Sequence, residues 1–212
     1  METVLVVGFG PFPGAPCNPS AELVRALGKR RRPALAGTRI MTAVLPTNYA
    51  AVRNELPMLL KRHDPDAVLF FGLASRARFL RIERRAVNAV TGFYPDATGA
   101  KLATRTFMPD MPAELPVRAD VIRLAAAARS AGIDARLSRD AGRYICNAAL
   151  YQTLQAARQG NRPRLVAFVH IPRPRQRARL DGKHRRPRPS LQTLVRAGEA
   201  ILVALMAQAR RG

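Results

Sequence analysis

The chain has 212 residues, 48% of them hydrophobic, and its 36 Lys and Arg against 14 Asp and Glu give a net charge of +22. That length and apolar content can bury one substantial core, so a single domain over residues 1–212 is expected. No apolar run approaches the ~20 residues of a membrane span, and Cys17 and Cys146 form neither a disulfide framework nor a CxxC metal site. Basic surfaces attract polyanions, but arginine is scattered through the helical stretches as well as concentrated in one segment. With no Trp and four Tyr, the aromatic platforms on which bases stack are missing, so nucleic acid is not an expected partner. Unpaired cysteines and a chain that opens as a strand fit a cytoplasmic protein without a membrane partner.

In chain order, Val4–Val7 reads as a strand that ends on Gly8-Phe-Gly-Pro-Phe-Pro-Gly14. Those glycines do not keep a dinucleotide-binding spacing, and Pro11 and Pro13 remove amide donors that a pyrophosphate would need. The loop instead sets Phe9 and Phe12 at the C-terminal end of a strand, where α/β sheets hold their ligands. Asn18 and Pro19 supply a cap and first turn for a helix over Ser20–Leu27. A strand at Arg39–Leu45 and a helix at Tyr49–Arg62 follow. Ala67–Gly72 is apolar at every position, as a central strand covered on both faces should be. The next strand is expected at Arg84–Ala89. From Thr91 to Pro116, two glycines and four prolines predict a long irregular excursion over the sheet edge. Then come a helix over Arg118–Ala131 closed by Gly132, a strand at Ala135–Ser138, a helix at Ala148–Gln159 and a strand at Leu165–His170. The stretch 173–189 holds eight Lys and Arg with three Pro and is expected to be a mobile, solvated loop. A helix over Ser190–Arg210 ends the series. Strands alternating with helices predict an α/β fold, a three-layer α/β/α sandwich around a mostly parallel, mixed sheet.

Cys146 carries the strongest chemical signal. A helical pattern begins directly after it, and a thiol at a helix N-terminus faces unpaired amides and the positive end of the dipole, which favours thiolate. The apolar run Leu165–Val169 then delivers His170 at the end of a buried strand. His63, in Lys61-Arg-His-Asp64, stands at a helix end, and His184 lies in the basic stretch. Glu83 is a scarce acid among Arg81, Arg84 and Arg85, cations that keep it ionised and able to orient an imidazole. Together these residues suggest a cysteine hydrolase. Two cysteines and three dispersed histidines offer no ligand pair at zinc spacing, so neither metal nor cofactor is expected. Cys17 is read as structural.

Seven blocks occur in order: Gly8-Phe-Gly-Pro-Phe12 with Asn18-Pro-Ser20, Gly72-Leu-Ala74, Glu83-Arg-Arg-Ala-Val-Asn88, Ala141-Gly-Arg-Tyr-Ile-Cys-Asn147, Phe168-Val-His-Ile-Pro172 and Pro189–Glu199. Over essentially its whole length the chain resembles the pyroglutamyl peptidase I (pyrrolidone-carboxyl peptidase) family of cysteine peptidases. The resemblance implies Cys146 as nucleophile, His170 as general base and then acid, and Glu83 as the group that orients it. It places Phe9, Phe12, Leu73, Tyr144 and Ile145 in the pocket for the pyroglutamyl ring, and makes small peptides with N-terminal pyroglutamate the expected substrates. Homo-oligomers occur in the family, whereas +22 per chain opposes close association unless the interface avoids the basic stretch. The chain departs from the family at Ser75-Arg-Ala-Arg78, where Gly-Gly-Arg is usual, at Phe93, where an arginine is usual, and after Pro172. These departures leave three readings open: Arg76 or Arg78 compensates, the pocket takes another small acyl group as a related amidohydrolase, or a weak catalyst binds polyanions through its basic loop.

Overall fold

In the computed structural model, which describes residues 1–160, 162–175 and 188–211, six strands form a central sheet between two helical layers. Along the chain run β1 (Glu2–Phe9), α1 (Pro19–Gly28), a 3-10 turn (Pro33–Leu35), β2 (Thr38–Leu45), α2 (Tyr49–His63) and β3 (Ala67–Leu73). After these come β4 (Leu80–Glu83), β5 (Arg85–Val87), β6 (Glu114–Pro116), α3 (Val121–Ser130), β7 (Ala135–Ser138), α4 (Ile145–Gln159), β8 (Leu165–Ile171) and α5 (Leu191–Ala209). The sheet order is β2-β1-β3-β8-β4-β7. Pairing is parallel from β2 to β8 and between β4 and β7, and antiparallel where β8 meets β4. The expected α/β sandwich with a mostly parallel, mixed sheet is therefore present.

The two-residue period of the strands divides the core in two. Val4, Val6, Leu69, Phe71, Ala167 and Val169 pack against α1, α3 and α5. Leu5, Val7, Phe9, Val68, Phe70 and Phe168 pack against α2 and α4. Both faces are covered, which is why β1 and β3 are apolar at successive positions. Gly8 permits the close seating of α1, since a Cβ there would lie 2.7 Å from the Ser20 carbonyl oxygen and 3.1 Å from Val24. Ser20 Oγ accepts a hydrogen bond from the Phe9 amide at 3.0 Å, and Asn18 caps α1 by accepting from Ser20 N at 3.2 Å. Far from that end, Arg32 grips the buried Glu199 of α5 with two hydrogen bonds of 2.8 and 2.9 Å.

Four expectations change. The single strand expected at Arg84–Ala89 is two strands: β4 joins the main sheet and ends at Glu83, and β5 leaves to pair with β6. Alternating Leu80-Arg-Ile-Glu83 hides β4, because its charged residues face a site rather than solvent. The excursion after Thr91 packs over α2 and α4 instead of the sheet edge. Asn88 organises it by accepting from the amides of Phe107 and Met108 and donating to the carbonyls of Met108 and Met111. Phe107 is buried between Tyr49 and Tyr151. Helix α4 starts at Ile145 rather than Ala148, so Cys146 belongs to its first turn. Cys17 is exposed in the loop before Asn18 and is not a core residue. The basic stretch expected at 173–189, with His184, lies mostly outside the described residues. Among the described residues no helix is long and apolar enough to cross a membrane.

Gly8→Ala is expected to cost about 1–3 kcal/mol of unfolding free energy, because backbone of α1 would have to move off β1. Gly198→Ala is the matched control. A Cβ there would meet only side chains, at 3.4 Å, and helix propensity favours alanine by about 0.5–1 kcal/mol. Urea unfolding of both variants checks the contrast.

Candidate active site

Strand geometry brings His170 and Glu83 together. In the antiparallel register Arg81 opposes His170 and Ile82 opposes Val169. Ile82 faces the α1 layer, so Arg81 and Glu83 project to the other face, where His170 follows Phe168. His170 Nδ1 lies 2.9 Å from Glu83 Oε1, with Glu83 completely buried and His170 nearly so. A carboxylate only accepts, so Nδ1 carries the proton and Nε2 keeps its lone pair free. Arg81 Nε approaches the same oxygen at 3.4 Å. The other oxygen, Oε2, is buried with no hydrogen-bond partner among the described residues. The Phe168 ring packs against the imidazole with centroids 4.6 Å apart and planes tilted by 42°.

The thiol arrives from above the sheet. Gly72 of β3 is the strand partner of His170, and a Cβ on it would lie 2.9 Å from Cys146 Sγ and 2.8 Å from the Phe168 ring. Only a glycine at this position lets the first turn of α4 settle onto β3 beside the imidazole. The helix is pinned there by Asn147, whose side chain accepts from Val87 N at 2.9 Å and donates to Val87 O at 2.7 Å and Ala89 O at 3.2 Å. Its cap residue, Tyr144, makes no side-chain cap, which leaves the amides of the first turn open toward the cleft.

Electrostatics at the thiol run against the expected stabilisation of thiolate by the helix. Burial pushes Cys146 up to about 12 and the Glu83 charge adds to this, while the residue's own amide opposes them. That balance favours the protonated thiol near pH 7. Tyr144 is likewise pushed up to about 12, by burial and then by Asp96, so it remains a neutral donor to the Pro95 carbonyl at 2.9 Å.

Cys146 and His170 open into one cleft of about 310 Å³, with Phe9, Phe12, Leu73 and Tyr144 on its walls. Phe12 and Tyr144 face each other with centroids 6.3 Å apart. Ile145 is fully buried against α4's own core and is not part of the lining, because its side chain leaves the first turn on the side opposite the cleft. Phe93 is exposed, and Arg76 and Arg78 face a neighbouring groove rather than this cleft. The cation at the cleft is Arg81, which sequence reasoning passed over as one neighbour of Glu83. Its alternation with Leu80 and Ile82 was the available signal. Asn18 and Thr47, also in the lining, both donate to the Gly10 carbonyl and hold the Phe9–Phe12 loop. Among the described residues no group of three or more His, Cys, Asp and Glu side chains gathers as a metal site requires.

A family model described as pyroglutamyl peptidase matches residues 2–210. Pyrrolidone-carboxylate peptidase from Thermococcus onnurineus is 35% identical over 205 residues, covering 94% of this chain and 96% of its own. The enzyme of that name from Gloeobacter violaceus is 36% identical over 210 residues and 97% of both chains. Among solved structures, pyroglutamyl peptidase I from Bacillus amyloliquefaciens superposes with a TM-score of 0.86 at 26% identity, over 99% of this chain and 98% of that one. Pyrrolidone carboxyl peptidase from Thermococcus litoralis shares the fold, with a TM-score of 0.89 at 24% identity over 100% of this chain and 96% of its own. Ordered motifs, sheet topology and whole-length similarity agree, and the chain belongs to the pyroglutamyl peptidase family.

Proposed function

We propose that this protein is a cysteine exopeptidase that removes N-terminal pyroglutamate from small peptides, with Cys146 as nucleophile, His170 as acid–base and Glu83 as its orienting carboxylate. The observation that carries the reading is the buried Glu83–His170 hydrogen bond opening into the same cleft as the first-turn thiol of α4. Cys146 passes its proton to His170 Nε2 and attacks the carbonyl beyond the pyroglutamyl ring. The resulting oxyanion is held by open amides of the α4 first turn. Imidazolium protonates the leaving amine as the C–N bond breaks, which leaves pyroglutamate as a thioester on Cys146. A water deprotonated by His170 then hydrolyses the thioester and regenerates the thiol.

The cleft suits the acyl group. A pyroglutamyl ring is a flat, neutral lactam, so apolar walls and backbone hydrogen bonds recognise it better than a charged anchor. Phe9, Phe12, Leu73 and Tyr144 supply such walls. Of the departures, only Ser75 reaches the cleft, at its rim; Arg76, Ala77 and Arg78 face the neighbouring groove and Phe93 is exposed, which favours retention of the acyl specificity over a different small acyl group.

Hydrolysis of pyroglutamyl-aminomethylcoumarin by reduced protein tests the reading. Cys146→Ser and Cys146→Ala are expected to remove the activity, and turnover that survives in either variant would sink the assignment. Glu83→Gln is expected to lower kcat by about 100-fold or more and to slow alkylation of Cys146 by iodoacetamide at a fixed pH, because the imidazole that would take the thiol proton loses its carboxylate partner. Gly72→Ala is expected to reduce kcat by at least about tenfold with a smaller change in KM, since the displaced helix misaligns the thiol without touching the aromatic walls. Unchanged turnover and alkylation on Glu83→Gln, or unchanged kcat on Gly72→Ala, would contradict these roles.

A further inference from the structure

Beside the catalytic cleft lies a second, larger cavity of about 1140 Å³. Its walls carry six arginines, at positions 76, 78, 81, 136, 175 and 188, against a single acid, Asp134. Arg136 is committed to Asp134 at 2.9 Å and to the Phe79 ring at 4.0 Å. Arg188 holds the carbonyls of Ser75 and Arg173. Among the described residues the exposed side chains of Arg76 and Arg175 have no acidic partner. The walls also include Ser190 and Thr193, at the positive end of the α5 dipole. The charges of Arg76 and Arg175, without an acidic partner in a concavity lined by further arginines, lower the free energy of a bound anion and raise its local concentration.

Position decides what that anion is. Arg81 lines both cavities, and Arg188 of the groove is anchored on Ser75, which belongs to the cleft rim. Across the sheet the cleft is polar at one end and aromatic at the other. Phe9 ends β1 and Phe12 follows it, Cys146 sits over β3, His170 is the penultimate residue of β8, and Arg81 lies on β4. With the lactam among the aromatic rings, the leaving amine lies toward His170, which must protonate it. The peptide beyond the scissile bond then runs toward β4 and into the arginine groove. We propose that this groove is the leaving-group subsite and selects peptides with acidic side chains directly after the pyroglutamyl residue. The inference rests on the peptidase reading above and adds a substrate class to it.

The experiment compares kcat/KM for two peptides that carry either two Glu or two Lys after pyroglutamate, alongside pyroglutamyl-aminomethylcoumarin, whose leaving group carries no charge for the arginines to read. At about 50 mM salt the acidic peptide is expected to be favoured by about tenfold or more, and the preference to collapse by about 0.5 M as screening shortens the Debye length. Arg76→Glu combined with Arg175→Glu should remove the preference and leave coumarin hydrolysis within about twofold, whereas Arg25→Glu, an equal charge change per site on α1, should alter neither the preference nor coumarin hydrolysis. Equal rates for the two peptides, or the same loss with Arg25→Glu, would overturn the proposal. If the parent protein does not hydrolyse the coumarin amide, the peptidase reading itself fails. The groove is then judged on Cys146→Ala by fluorescence anisotropy of the same two peptides labelled at their C-termini. Salt-sensitive binding of the acidic peptide that the groove variants abolish supports it, and indifference to peptide charge refutes it.

Discussion

A buried carboxylate beside a buried imidazole is the arrangement around which the rest of the site is built. Moving Glu83 out of water costs several kcal/mol unless the charge is matched, and here the compensation comes from His170 at 2.9 Å and Arg81 at 3.4 Å. Both partners depend on one feature of the topology. The sheet is parallel until β8, and β4 then runs antiparallel, which sets Arg81 across from His170 and leaves Glu83 deeper on the same face. A parallel β4 would present a different register and leave the carboxylate without its partners. The site is therefore tied to the one reversal of strand direction in the sheet.

Close approach is the second constraint. Helix α4 can deliver Cys146 only because β3 has no side chain at Gly72, and the same absence accommodates the Phe168 ring against His170. Tight seating excludes water from the thiol and lifts its pKa, an effect reinforced by Glu83. The same seating that brings the thiol to the imidazole thus favours its protonated form, whereas Cys17 is exposed.

The high positive charge acquires a local meaning from the fold. Many of the described arginines sit on helical surfaces or hold carbonyls, as Arg164 and Arg210 do. The concentration between β4, β7 and the start of α5 is different, because it forms a concavity that shares Arg81 with the catalytic cleft. Acyl specificity and leaving-group specificity can then be tuned separately, the first by aromatic walls and the second by charge.

Much was legible from residue order alone. Strand and helix periodicity determined the α/β class, the apolar runs marked β1, β3 and β8, and Asn18-Pro19 marked the start of α1, because these signals are local and reside in adjacent residues. The run around Cys146, the strand leading to His170 and the isolated Glu83 were visible for the same reason. What tertiary structure alone decided is non-local. The split of β4 from β5, the start of α4 at Ile145 and the packing of the excursion all depend on side chains such as Asn147 and Asn88 bonding to backbone far away in sequence. The burial of Ile145, the upward shift of the thiol and the joining of Arg81 to two cavities depend on which faces meet across the sheet. Periodicity records which residues seek the core, but it does not encode strand direction or the distance between surfaces, and those two quantities assemble this site.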